Sequence, residues 1–129
     1  MTREISVGDV LPAWELPMTP TTIVSTAIAT RDFQDVHHDR DIAQAAGSKD
    51  IFMNILTTNG FVERFVTEWA GPDVEIKAIA IRLGAAAHPY DTLTFTGTVS
   101  SIEDGIATID IVGRVSLGDH VTGSVQVAV

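Results

Sequence analysis

The chain has 129 residues, 45% hydrophobic and 6% aromatic, with no cysteine and a formal net charge of −9. This length suits one domain, residues 1–129, with a core of Val, Ile, Leu and Ala, and the lack of cysteine excludes disulfides, thiolate metal sites and a cysteine nucleophile. The eight basic residues are scattered without aromatic interleaving, which argues against a nucleic-acid surface, and no run approaches the ~18 uninterrupted apolar residues of a membrane span.

Met1-Thr2-Arg3-Glu4 leads into mixed sequence without an apolar h-region, so no secretory signal is expected and a cytoplasmic setting is. Residues 5–17 read as an irregular start or a short edge strand. Residues 21–31 suggest a helix, against the β-branched run Thr-Thr-Ile-Val. A short helix is expected over residues 40–46, with Asp39 placed as N-cap and Gly47 as terminator. Residues 51–70 carry apolar side chains at 51, 52, 55, 56, 62, 65, 66 and 69. That spacing predicts a long helix, apolar enough to be central, closed by Gly71-Pro72.

The remainder reads as strands. Residues 74–83 form the first, with a slip near Lys77 to Ile79 that signals a bulge or burial on both faces. Over residues 92–99, Leu93, Phe95, Gly97 and Val99 alternate with threonines, as in a half-buried strand. Asp104-Gly105 marks a hairpin turn. Ala107, Ile109, Ile111, Gly113 and Val115 share one face of the next strand. A turn at Leu117-Gly118-Asp119 leads to a last strand carrying Val121, Gly123, Val125, Val127 and Val129. The result is α+β, a central helix followed by an antiparallel meander, the parts of a hot-dog arrangement in suitable order.

Ionisable side chains are densest between Arg31 and Ala43. Asp32 precedes His37 by five positions, and a carboxylate with an imidazole can hold a water and move protons near neutral pH. Three readings stay open on the residues alone: an acid–base pair, a solvated helix-capping loop, and a metal site built on His37-His38-Asp39. The metal reading lacks a third ligand set elsewhere, and adjacent residues diverge.

The segment Asp32-Phe33-Gln34-Asp35-Val36-His37-His38-Asp39, then Ala43, resembles the hydratase motif of the MaoC family, Asp-x-Asn-Pro-x-His-x-Asp-x-x-x-Ala. Its Asn-Pro pair is Gln34-Asp35 here. The resemblance implies a hot-dog fold and Asp32 and His37 as catalytic pair, with Asp39 capping the next helix. Met53-Asn54-Ile55-Leu56-Thr57 is similar to the family's His-Gly-Met-x-Thr-like segment. Asn54 replaces the glycine as the other residue type that accepts left-handed backbone angles. A backbone N–H of Met53 or Asn54 would then bind the thioester oxygen. Pro89-Tyr90-Asp91-Thr92-Leu93 resembles the stretch Pro-x-x-Gly-Asp-Thr-Leu, with Asp91 a turn residue. His88 and His120 read as loop histidines of lesser interest.

Residues 23–41, 47–52 and 117–121 are similar to a narrower group, the small catalytic subunits of actinobacterial heteromeric hydratases acting on steroid side-chain enoyl-CoA esters. This implies an enoyl-CoA hydratase acting on a steroid (cholesterol) side-chain 2-enoyl-CoA, without a cofactor because CoA is part of the substrate. It also implies a second MaoC-like subunit, in a heterodimer or α2β2 heterotetramer. The rival classes are a non-catalytic binding subunit and a hot-dog thioesterase, which would place its carboxylate on the central helix; Glu63 is the candidate.

Overall fold

The computed structural model describes residues 3–129, so Met1 and Thr2 of the leader reading lie outside the described residues. In chain order the elements are β1 (Val10–Pro17), α1 (Pro20–Ala29), a 3-10 turn (Asp35–His37), α2 (Arg40–Ala45), α3 (Ile55–Ala70), β2 (Ile76–Leu83), β3 (Thr92–Glu103), β4 (Ile106–Val115) and β5 (Gly118–Ala128). The strands make one antiparallel sheet in the order β1-β3-β4-β5-β2. Its concave side holds α3, which is the hot-dog arrangement.

The meander follows the alternation in the sequence. Leu93, Phe95 and Val99 of β3 and Ala107, Ile109, Ile111 and Val115 of β4 are buried on one face. Asp104 and Gly105 take φ of +52° and +76° in the β3–β4 turn, the backbone that Asp-Gly tolerates. The helix packs on this face through Val62, Phe65, Val66, Trp69 and Ala70, and the Phe65 ring stacks on Phe95 at 5.7 Å. Gly97 makes that approach possible. A Cβ there would sit 3.2 Å from the Phe65 ring and 3.1 Å from Ile111. Deleting a buried ring such as Phe65 costs about 3–5 kcal/mol.

The bulge expected near Lys77 is present, as a register shift between Ile76 and Ala78 against β5. Burial on both faces is not found there, since Lys77 and Ala78 are exposed. β1 lies at the sheet edge beside β3. In α1, Pro20 occupies the first turn and the Thr19 hydroxyl caps Thr22 N–H at 3.0 Å. Burial of Ile23 and Ala27 overrides the weak propensity of the β-branched run. The Asp39 carboxylate caps α2 by accepting the Ile42 N–H at 3.1 Å.

One boundary differs materially. The helix expected from residue 51 starts at Ile55, and residues 51–54 lie outside any helix or strand. Two of their amides are committed to distant carbonyls, Phe52 N–H to Val36 at 3.2 Å and Met53 N–H to Ala87 at 3.1 Å. The apolar run continues because Ile51 and Met53 of this non-helical piece are themselves buried, so periodicity alone could not separate it from the helix.

Candidate functional site

Asp32 is held by the end of α1. Arg31 takes a left-handed φ of +58°, and the N–H groups of Arg31 and Asp32 return to Ile28 and Ala27 at 3.0 and 2.9 Å. This is a Schellman closure with a non-glycine residue at the left-handed position, and it sets the Asp32 backbone at a sharp turn off the helix. Five residues on, the 3-10 turn carries His37, its N–H bonded to Gln34 at 3.1 Å.

The two side chains meet. His37 Nε2 lies 3.3 Å from Asp32 Oδ2, with the imidazole buried and the carboxylate partly open. His37 Nδ1 lies 2.7 Å from the Phe52 carbonyl oxygen. A carbonyl oxygen only accepts, so Nδ1 carries the proton. In the neutral ring Nε2 then presents a lone pair toward a carboxylate that also only accepts. A group able to donate to both, such as water, would suit this pair of acceptors.

His38 diverges from His37 and sits 3.6 Å from Asp35 at the surface. Among the described residues no three His, Asp or Glu side chains converge as metal ligands. Asp39 serves as the helix cap. Glu63 is exposed on α3 and does not line the cleft at the Asp32–His37 pair.

That cleft has a volume of about 320 Å3, and besides the pair it is lined by Gln34, the residues 52–55, the residues 83–86 and His120. Asn54 is the N-cap of α3, with φ −79° and ψ 161°. The left-handed backbone expected of it is therefore corrected to an extended one, as an N-cap requires. Met53 is corrected as an amide donor, because its N–H is bonded to Ala87. Among the described residues no hydrogen bond occupies the Asn54 N–H, and it leads into the first helical turn, whose amides lack intrahelical acceptors. Its side chain, which sequence reasoning gave no part, donates from Nδ2 to Asp32 Oδ2 at 3.2 Å.

Two histidines of lesser interest prove buried. His88 Nδ1 donates to the Ile51 carbonyl at 3.1 Å, beside the one that His37 uses. His120 lies in β5 rather than in a loop and reaches the cleft wall. Its Nδ1 donates to Ala85 O at 2.7 Å, and Nε2 accepts the Thr58 hydroxyl at 2.8 Å. Burial lowers its pKa from the ordinary imidazole value, and the Ala85 contact offsets this only in part. No sequence pattern marks His120, since Thr58 and Ala85 are far from it along the chain. Asp91 is the turn residue expected, accepting from the Ser116 hydroxyl at 2.7 Å.

Residues 6–121 match the family described as MaoC like domain. A protein of Mycobacterium tuberculosis, the 3-oxo-4,17-pregnadiene-20-carboxyl-CoA hydratase beta subunit, is 60% identical over 122 residues, 95% of either chain. The crystal structure of the ChsH1-ChsH2 complex from Mycobacterium tuberculosis contains a chain that superposes with a TM-score of 0.94 at 58% identity, covering 97% of this chain and 98% of that one. An (R)-hydratase from A. caviae involved in PHA biosynthesis superposes with a TM-score of 0.89 over 98% of each chain, at 15% identity; it shares the fold. With a family match over most of its length and a relative this close, the chain belongs to the MaoC-like domain family.

Proposed function

We propose that this chain is the catalytic subunit of an enoyl-CoA hydratase, adding water across the 2,3 double bond of a steroid side-chain enoyl-CoA thioester. The observation that carries the reading is the facing pair of acceptors, His37 Nε2 and Asp32 Oδ2, 3.3 Å apart in a partly open cleft. One water donating to both would be held with its oxygen lone pair free. As that oxygen bonds to the β-carbon, one water proton passes to the pair and the pair returns one to the α-carbon, so the site ends as it began. Electrons gathered on the thioester oxygen meet the Asn54 N–H at the start of α3, where the helix dipole favours negative charge. The reaction moves protons but no net redox electrons, so no cofactor is required, and CoA belongs to the substrate.

The steroid substrate is suggested by the printed name of the 60% identical relative. A second MaoC-like subunit, in a heterodimer or α2β2 heterotetramer, is suggested by the relative's beta-subunit name and by the two-component complex. The uncovered apolar residues around the cleft support it too. Ile55 and Leu83 line the cleft and, with Leu56 and Phe33 beside it, are exposed in the single chain. Among the described residues no helix is long and apolar enough to cross a membrane. A cytoplasmic setting fits an intracellular CoA thioester substrate.

The test is a hydration assay on steroid and short-chain 2-enoyl-CoAs, with the chain alone and co-expressed with a MaoC-like partner lacking its own Asp/His pair. Turnover of the steroid ester by the assembled complex supports the reading. Release of free CoA thiol without hydration overturns it.

A further inference from the structure

We propose that the Asn54 side chain is a positioning residue that orients Asp32 for the hydration, and that the Thr57 hydroxyl orients Asn54 in turn; this rests on the catalytic reading above. Asn54 is 1% exposed, and every polar atom of its carboxamide is committed. Nδ2 donates to Asp32 Oδ2 at 3.2 Å and to Thr30 Oγ1 at 2.8 Å. Oδ1 accepts from the Thr57 hydroxyl.

The direction of each bond is forced. The Thr30 hydroxyl donates back to Thr26 O at 2.8 Å, so toward Asn54 it can only accept. The Asp32 carboxylate can only accept as well. Were the amide turned over, Oδ1 would face two acceptors, so Nδ2 must be the end that meets them. The single Thr57 proton then goes to Oδ1 and holds that orientation.

The oxygen that Asn54 grips, Asp32 Oδ2, is also the one facing His37 Nε2. The other oxygen, Oδ1, takes the Gln34 backbone N–H at 3.3 Å. The carboxylate plane is therefore fixed from both sides, with Oδ2 turned toward the imidazole. The Gln34 side chain, at the motif's asparagine position, makes no hydrogen bond to Asp32 among the described residues; the carboxamide comes from position 54. Since both carboxamide protons are used, the Asn54 side chain has none left for substrate and acts through Asp32.

A merely structural tie between α1 and α3 would use the same contacts, so the test must separate the two roles. In the assembled hydratase, Asn54→Asp keeps the shape but puts an acceptor where the donor was. Its kcat at neutral pH is expected to fall about ten- to hundredfold, with KM little changed, on the scale of a hydrogen bond to a charged group. Relative to wild type at the same pH, the loss should narrow in acid, where a protonated carboxyl at 54 can donate again. Thr57→Val should lower kcat by less, and Thr57→Ser should restore it. These conservative variants keep the inference testable if Asn54→Ala fails to fold. Asn54→Asp with kcat within about twofold of wild type, or a loss confined to KM, overturns the inference. Asp32→Asn is the control. Full activity there overturns the catalytic reading itself, whereas an inactive Asp32→Asn beside an unaffected Asn54→Asp overturns only the positioning role.

Discussion

The Nδ1 of His37 lies 2.7 Å from the carbonyl oxygen of Phe52, three residues before the start of α3. This contact chooses the imidazole tautomer and aims the Nε2 lone pair at Asp32. Nitrogen-15 NMR of the labelled protein, with His37 assigned by its loss in His37→Gln, should show the neutral ring protonated at Nδ1. A ring protonated at Nε2 would contradict the arrangement of the site.

Asp39 sits in the same motif as Asp32 but caps α2 through the Ile42 N–H. Asp39→Ala is expected to cost about 0.5–2 kcal/mol of stability, while Asp39→Asn, also a good cap, should cost less. Denaturant titrations measure the stability, and hydration assays of the folded variants should show kcat near wild type in both. A loss of turnover in Asp39→Asn comparable with that of Asp32→Asn would move Asp39 from the fold into the chemistry.

His120 makes stability depend on pH. Burial holds its folded pKa below the ordinary 6.5, with the Ala85 contact offsetting only part of the effect. Below pH 6.5 the unfolded chain therefore takes up the proton more readily than the folded one. The contribution of this residue is fully present above that pH and is lost as pH falls below it. Asp91 acts in a lower window. Desolvation pushes its carboxyl up, but hydrogen bonds from the Ser116 hydroxyl and the Thr92 and Ser116 amides, with the Lys49 charge, outweigh it and leave the pKa below 3.8. Its contribution is lost only as pH falls below 3.8. Urea midpoints measured at and just below pH 6.5 should fall in the wild type and fall less steeply in His120→Gln. Equal slopes would remove His120 as the cause.

The meander was legible because each strand is half-buried, so its period of two is written in Leu93, Phe95 and Val99 and again in Ile109 and Ile111. The Asp104-Gly105 turn and the Asp39 cap are local chemistry and were legible for that reason. The start of α3 was not. Ile51 and Met53 are buried in a non-helical segment in which the Phe52 and Met53 amides bond to Val36 and Ala87, and local pattern carries no trace of such partners. At the site, spacing made Asp32 and His37 no more than an eligible pair; register within a family motif singled them out. The Asn54 side chain and His120 escaped because their partners, Thr30 and Asp32 in one case and Thr58 and Ala85 in the other, come together only in the fold.

The proposed water addition rests on the Asp32–His37 pair of this chain. It is tested most directly by single-turnover hydration of a steroid 2-enoyl-CoA by the assembled complex, with Asp32→Asn or His37→Ala in this chain and an unaltered partner lacking its own pair. Each variant should assemble as the wild type does and lose about 10²- to 10⁴-fold in rate. Wild-type rates in either variant would contradict the claim.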